Sequence, residues 1–455
     1  MSNGKPETFV QDLPTLDGDV VLPGREGYDA ARSLWNAMVD RRPAVIVRCA
    51  SRDDVAAAVR LARDHGLEIG VKCGGHSVVG HAVPEGGLMI DLSRMSAVTV
   101  DPTARRARVQ GGALLGALDR ATGPHGLATT AGNVSHTGVG GLALGGGMGW
   151  LARQHGLTCD NVESFEVVTA DGETVVASTS ENSELFWGLR GGGGNFGVVT
   201  EFAFRLHPVA GRTFVVDHGF ALDDAVQAMK VWRDLNEVAP RQATFTASVT
   251  TVAGRPRVGL GFVWVGDPAG ARDLQRELGA LGTPTDRSVA ERSYVDLQRV
   301  DDTDQRHRLR RYWKGHYLRA LPDDAIEAFL LRGTPDGSGD LIPNASLQAY
   351  GGAIADVGDD ETAFSHRDAL VEFVSASRWD DLAEDDGRFA AARRYAATIE
   401  PYASGAYVNA LTDEGRAGVR RAYPAHTLAR LTALKDGWDP DNVFHLNHNI
   451  APSAA

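Results

Sequence analysis

Cysteine is scarce in this chain. Its 455 residues include three, Cys49, Cys73 and Cys159. An odd, widely spaced trio does not make a disulfide framework. With no cysteine pair beside His76 and His81 or beside His445 and His448, no metal site is expected. Positive charge is also in deficit: 46 Lys and Arg stand against 59 Asp and Glu, a formal net charge of -13. Nucleic-acid binding generally needs a basic face, and an acidic surface disfavours anionic lipid, so neither partner is expected. Long apolar runs are missing as well. No stretch approaches the roughly 20 residues of a membrane-spanning helix. Met1 to Pro23 is mostly polar, with no basic segment leading into an apolar core, so no secretory signal is visible and the cytoplasm is the expected location.

Glycine is abundant, at 53 residues. It clusters between Cys73 and Gly80, between Gly132 and Gly149, and between Gly191 and Gly197. Such clusters let a backbone approach a bulky ligand closely. The length admits two or three domains with a sizeable core.

Residues 43 to 48, PAVIVR, read as a strand. Ser51 and Asp54 form a capping-box-like start, Val55, Val59 and Ala62 follow at helical spacing, and Gly66 is a natural C-terminal cap. Leu67, Ile69, Val71 and Cys73 then alternate as a strand, so the first glycine loop follows a β-α-β unit. Residues 88 to 92 and the segment around Val109 read as further strands. Two β-rich runs between Phe165 and Ala177 flank Asp171-Gly172, a two-residue hairpin-turn signal. Val199 to Leu206 alternates, with Phe202, Phe204 and Leu206 on one face. From about 210 the glycine clusters give way to amphipathic stretches, including Asp223 to Glu237, Ala269 to Leu281 and Ala363 to Ser377. This predicts a second α+β domain to about 400, followed by one more helical stretch, Gly415 to Lys435.

Gly192, Gly194 and Gly197 match a dinucleotide fingerprint, but helical Asn182 to Leu189 precedes it and a strand follows. The fingerprint has meaning only after a strand and at a helix start, so a Rossmann site is rejected. The segment VKCGGHSVVG, 71 to 80, is more informative. Two glycines place His76 at the tip of a turn leaving a strand, where backbone N–H groups can form an anion nest. Taken alone, the segment reads equally well as a tight turn with an exposed histidine.

The chain resembles the FAD-linked oxidases of the vanillyl-alcohol oxidase superfamily, in the berberine-bridge-enzyme-like branch with a PCMH-type FAD domain. The matching blocks are PAVIVRCAS (43–51), VKCGGHS (71–77), LMIDLSRM (88–95), VGGLALGGGMGWLARQHGLTCDN (139–161), ELFWGLRGGGGNFGVVTEF (184–202) and WDPDNVFHLNHNI (438–450). The resemblance implies an α+β fold. After an N-terminal segment (1–37) comes an FAD-binding domain (38–209). A substrate domain (210–400) is inserted, and its antiparallel sheet roofs the flavin ring. A C-terminal segment (401–455) completes the FAD domain and active site.

It also implies FAD joined covalently to His76. Many members add a cysteinyl bond from the block A-G-x-C-x-x-V-G. Here that block reads Ala131-Gly132-Asn133-Val134-Ser135-His136-Thr137-Gly138, with Val134 at the cysteine position. One covalent link is therefore expected. Thr137 stands where valine or isoleucine is common, beside the face where oxygen reacts, and Leu142 where histidine is common. The cofactor-binding set implied by the resemblance is Gly74, Gly75, His76, Ser77, Gly80 and His81 from the first loop, with Gly132, Asn133, His136, Thr137 and Gly138 from the second. Gly141, Leu142, Gly147, Gly149, Gly197, Val199, Asn409, Asn447 and Asn449 complete it.

For catalysis the resemblance points to Tyr407, Tyr350, Gln348 and Thr137. Tyr407 would need a pKa below the ordinary value of about 10 to act as base. Gln348 replaces a carboxylate found in some members, which leans away from substrates needing a strong base. Lys314 or His316, in YWKGHY (312–317), is a further candidate for a charge or a proton acceptor. The expected reaction is hydride transfer from a small alcohol or amine, with sugars and secondary metabolites among the candidates, to FAD, with molecular oxygen reoxidising it to give hydrogen peroxide. The alternatives are a dehydrogenase with another acceptor and a flavin-holding protein with a non-oxidative reaction. A monomer or homodimer is expected.

Overall fold

The computed structural model of the chain describes residues 11–209, 212–302 and 309–454. The start of the N-terminal segment and the expected domain boundary at 210 lie outside the described residues.

Two sheets build the first unit. β1 (Asp19–Val21), β2 (Val45–Arg48), β3 (Ile69–Lys72) and β4 (Leu88–Asp91) form a sheet in the order β1-β2-β4-β3, with β2 and β3 parallel to β4. The helix Arg52–Asp64 connects β2 to β3. Ser51 accepts from the Asp54 N–H in a capping box, and Gly66 follows the C-cap in the left-handed region, as predicted. The second sheet contains β5 (Val98–Asp101), β6 (Arg106–Gln110), β8 (Val162–Val168), β9 (Thr174–Ser178) and β10 (Val198–Arg205) in the antiparallel order β5-β6-β10-β8-β9. The short strands β7 (Leu127–Ala128) and β11 (His207–Pro208) pair beside it. Phe202 and Phe204 are buried on the β10 face that the alternation predicts.

The β8–β9 turn differs from the two-residue expectation. Thr169 N–H bonds Glu173 O and Gly172 N–H bonds Thr169 O, so three residues form the loop. Gly172, at φ 74°, takes the left-handed position that ends it.

A seven-stranded antiparallel sheet makes up the second unit. It contains β12 (Arg212–Phe220), β13 (Ala243–Val252), β14 (Arg255–Val265), β15 (Asp286–Ser293), β16 (Arg310–Leu318), β17 (Asn344–Ala349) and β18 (Val371–Trp379), ordered β15-β12-β14-β13-β17-β18-β16. Phe245, Phe262 and Phe373 on one face pack against Trp232, Phe329 and Tyr395 from covering helices. The other face is the roof of the site. The stretch Ala363 to Ser377, expected to be a helix, instead supplies β18. Its second half alternates, with Val371, Phe373 and Ser375 buried on the helix side, and pairing on both edges fixes it as a strand.

The stretch Gly415 to Lys435 is two helices, Gly415–Ala422 and Ala425–Trp438. Pro424 separates them, having no N–H to continue the first. The second helix returns the chain to the first unit. Lys435 and Asp439 form a fully buried ion pair at 2.6 Å, and Lys435 Nζ also donates to Asn195 O and Phe444 O. Ile450 N–H donates to Asn195 Oδ1. The tail is thus stapled to the third glycine cluster.

Candidate active site

The first two glycine clusters meet back to back. A Cβ on Gly74 would lie 2.3 Å from the Gly138 nitrogen, and one on Gly138 would lie 2.4 Å from the Gly74 nitrogen. Only glycine allows this approach. Gly75 turns the chain at φ 67°, and His76 emerges beside the second loop. Its Nε2 is 2.7 Å from His136 Nδ1, and its Nδ1 is 3.3 Å from Thr137 Oγ1. The imidazole stacks on Trp35 with centroids 4.7 Å apart and planes 16° apart.

Other expected residues gather around this point. Asn409 Nδ2 reaches the carbonyls of Gly141 and Leu142, and Leu142 packs over Gly132 and Gly147. Gly149 presses on the Ala131 carbonyl, and Asn447 Nδ2 donates to Gly194 O. Gly80 closes the first loop through its N–H to Ser77 O, while Ser77 itself is exposed. His81 meets His448 edge-on at 5.2 Å, and burial pushes the two imidazoles down to about 3 and about 4, so both are neutral. Gly197 and Val199 stand apart: Gly197 packs on Val167 and Val168, and the Val199 carbonyl faces Gly111.

Asn133 Oδ1, Asn447 Oδ1, Asn449 Oδ1 and, from the roof, Gln348 Nε2 are buried without a hydrogen-bond partner among the described residues. Buried polar atoms are normally paired. Polar atoms left open around a glycine-lined cradle fit a large polar cofactor such as FAD.

The roof lies over this cradle. Arg311, Trp313, Gly315 and Tyr317 share one face of β16 by strand alternation. Trp313 contacts Trp35 at 5.5 Å, and Tyr317 contacts Tyr407 at 6.5 Å. The strand therefore runs from the His76 side to the Tyr407 side. In register beside Tyr317 stands Glu372 on β18, and beside Glu372 stands Gln348 on β17. A carboxylate therefore stands on the strand adjacent to Gln348.

Glu372 is buried. Tyr350 OH donates to its Oε2 at 2.9 Å, and the Tyr317 and Tyr350 hydroxyls are 3.2 Å apart. With the Tyr350 O–H directed at Glu372, Tyr317 donates to Tyr350. Burial pushes the Glu372 carboxyl up to about 7, against the lowering effect of the Tyr350 hydrogen bond. Tyr407 OH accepts from the Gly147 N–H and from Asn409 Nδ2, each at 2.9 Å. Burial, and next the Glu372 charge, push its pKa well above the ordinary tyrosine value. The structure therefore runs opposite to the lowered value a tyrosine base would need.

Lys314 and His316 lie on the reverse face of β16. Lys314 is engaged by Asp413 and Glu414, and His316 Nδ1 by Arg421. Strand alternation separates both from Tyr317 and its face. Glu372, Tyr317, Trp35 and Trp313 were not among the sequence candidates. The signal for Glu372 was present, as one acid opening an otherwise apolar alternation, V-E-F-V.

Comparison with known proteins gives the family of the chain. A model of the FAD binding domain matches residues 43–178, and a model described as berberine and berberine like matches 406–451. An FAD-linked oxidoreductase of Dictyostelium discoideum is 31% identical over 450 residues, covering 96% of this chain and 95% of that protein. The (R)-6-hydroxynicotine oxidase of Paenarthrobacter nicotinovorans is 30% identical over 97% of this chain and 98% of its own length. Among solved structures, 6-hydroxy-D-nicotine oxidase from Arthrobacter nicotinovorans superposes with a TM-score of 0.87 at 28% identity, over 96% of this chain and 99% of its own. Glucooligosaccharide oxidase from Acremonium strictum, described with a 6-S-cysteinyl, 8α-N1-histidyl FAD, does so at 0.85 and 26% identity, over 99% of each chain.

Proposed function

The chain belongs to the berberine-bridge-like FAD-linked oxidoreductases and is an FAD-dependent oxidase of a small organic substrate; from that premise we propose that His76 carries the flavin through a single covalent bond and that Glu372 takes the hydroxyl proton of an alcohol substrate. Bound FAD would supply the hydride acceptor and the route for electrons to oxygen, with hydrogen peroxide as the product.

The observation that carries the reading is the buried Glu372 carboxylate, held from one side by Tyr350 on the roof face that Trp313 and Tyr317 share. With Oε2 engaged by Tyr350, Oε1 is left for a substrate hydroxyl. Burial has brought the group close to neutral pH, where a general base is most effective. Thr246, Ser248, Ser346 and Gln348 occupy the same face in register, a surface of hydroxyls and an amide that suits a hydroxylated substrate.

His136 Nδ1 against His76 Nε2 supports the link through the other imidazole nitrogen. With His136 Nδ1 accepting from His76 Nε2–H, His76 Nδ1, beside Thr137, keeps its lone pair and is the nucleophile. Val134 at the cysteine position supports a single bond.

The test is anaerobic titration of the yellow holoenzyme with a panel of alcohols, amines and sugars, followed by peroxide detection in air. Bleaching by an alcohol, peroxide equal to substrate consumed, and slow bleaching in Glu372→Gln are the expected results. Bleaching by amines alone, or an unimpaired Glu372→Gln enzyme, would sink the alcohol reading. Bleaching without peroxide would point to a dehydrogenase.

A further inference from the structure

Arg311 is 2% exposed, yet no carboxylate pairs with it among the described residues. Its Nη1 donates to the carbonyls of Trp35 and Leu309. Its Nε and Nη2 are buried with no hydrogen-bond partner among the described residues. The residue directly across on β18 is another arginine, Arg378. Burial, and next Arg378, push the guanidinium down to about 10, which still leaves it charged at neutral pH.

A buried cation without a counter-ion costs stability, and like charges directly opposite on neighbouring strands add to that cost. A side chain needed only to hold the Trp35 ring would serve better neutral. The location shows what the charge addresses. The guanidinium carbon is 4.0 Å from the Trp35 ring centroid, and the same ring stacks on His76 at 4.7 Å. The cation therefore lies within about 9 Å of the imidazole, a range over which buried charges are little screened. The Trp35 ring touches both groups, the guanidinium by a cation–π contact and the imidazole by stacking.

We propose that Arg311 is an electrostatic positioning residue. It places a positive charge, paired with no carboxylate among the described residues, beside the Trp35–His76 stack and so raises the reduction potential of the flavin borne on His76. Reduction adds negative charge to the cofactor, and a fixed cation nearby favours the reduced state. This rests on the reading that His76 bears the flavin.

The experiment is the midpoint potential of purified holoenzyme, measured by equilibration with a reference dye, for wild type, Arg311→Met, Arg311→Lys and Arg378→Glu. Acid-stable flavin is scored on the same samples. Arg311→Met should lower the two-electron equilibrium constant for reduction at least tenfold, which is about 30 mV. Arg311→Lys, which keeps the charge, should stay within that margin of wild type. Arg378→Glu changes an exposed residue and sets a carboxylate opposite Arg311. It should shift the potential the same way as Arg311→Met, and it decides the matter if Arg311→Met does not fold. A shift below tenfold in the deciding variant overturns the proposal. So does an Arg311→Lys enzyme that falls as far as Arg311→Met, because packing would then be the cause. If wild-type flavin is not acid-stable, the covalent reading fails instead. The dye measurement needs no covalent bond, so the potential series still tests the charge.

Discussion

The flavin cradle and the roof above it do their work with different parts of the chain. In the cradle the backbone acts. Gly74 and Gly138 let two loops touch, and Gly75 turns the chain so that His76 emerges between them. In the roof the side chains act. The β-sheet is an ordinary antiparallel one, and Glu372, Tyr317 and Gln348 stand in register on three neighbouring strands. A backbone site of this kind leaves a local trace, because glycine is required at fixed spacings. A register site leaves none, because its members are far apart in sequence and meet only through strand pairing. The cradle should therefore fail at single residues with whole-cofactor consequences, and the roof should fail in rate and pH dependence with the cofactor retained.

The largest effect is expected at His76. In His76→Ala, acid denaturation and washing should remove all yellow flavin from the polypeptide, whereas wild type keeps it. Retention in the variant would mean that another residue bears the link.

In the roof, Glu372→Gln should keep its acid-stable flavin and lose about 10²–10⁴-fold in kcat/KM, the usual contribution of a general base. A base works when deprotonated, so wild-type kcat/KM should rise with pH through about 7, the value to which burial pushes Glu372. That acid limb should vanish in the variant. A surviving limb would assign it to another group.

A third test returns to the cradle. Asp439→Ala leaves Lys435 buried without its counter-ion, beside the carbonyls of Asn195 and Phe444. Breaking a buried pair from one side costs about 3–5 kcal/mol. Denaturant unfolding should show that loss while the Glu372 limb stays where it was. A loss under about 1 kcal/mol, the scale of an exposed pair, would mean that the tail is not held through this ion pair.

The same division explains what was readable in the sequence. The β-α-β start, its capping box and the reversed order around the third glycine cluster were legible because caps and glycine turns act over a few residues. Asp171-Gly172 signalled a turn but not its length, because glycine serves equally as the last residue of a three-residue loop. Residues 363 to 377 looked helical until pairing on both edges made residues 371 to 379 a strand, and that misreading hid Glu372. Gln348 was noticed as a missing carboxylate, since its own strand could be recognised. That the acid stands one strand over, at Glu372, depends on the β17–β18 register, which no local pattern encodes. The same applies to Trp35 and Trp313, which lie 278 positions apart in the chain and meet at 5.5 Å.

The smallest predicted effect is the sharpest test of the roof as a side-chain device. Tyr350 is fully buried, and its hydroxyl can do one of two things: shape the pocket, or hold Glu372. Tyr350→Phe separates them, since the ring and its volume remain. The hydrogen bond from Tyr350 stabilises the Glu372 anion and so lowers its pKa. Removing a hydrogen bond to a charged group costs roughly 1.5–3 kcal/mol when buried, so the Glu372 limb should move up by about one to two pH units. Below neutrality the variant should be about ten-fold or more slower than wild type, because less of its Glu372 is ionised. At a pH well above the shifted limb the two rates should converge. A rate loss that is the same at every pH, with the limb unmoved, would show that Tyr350 only fills space and that the Glu372 carboxylate is oriented by something else.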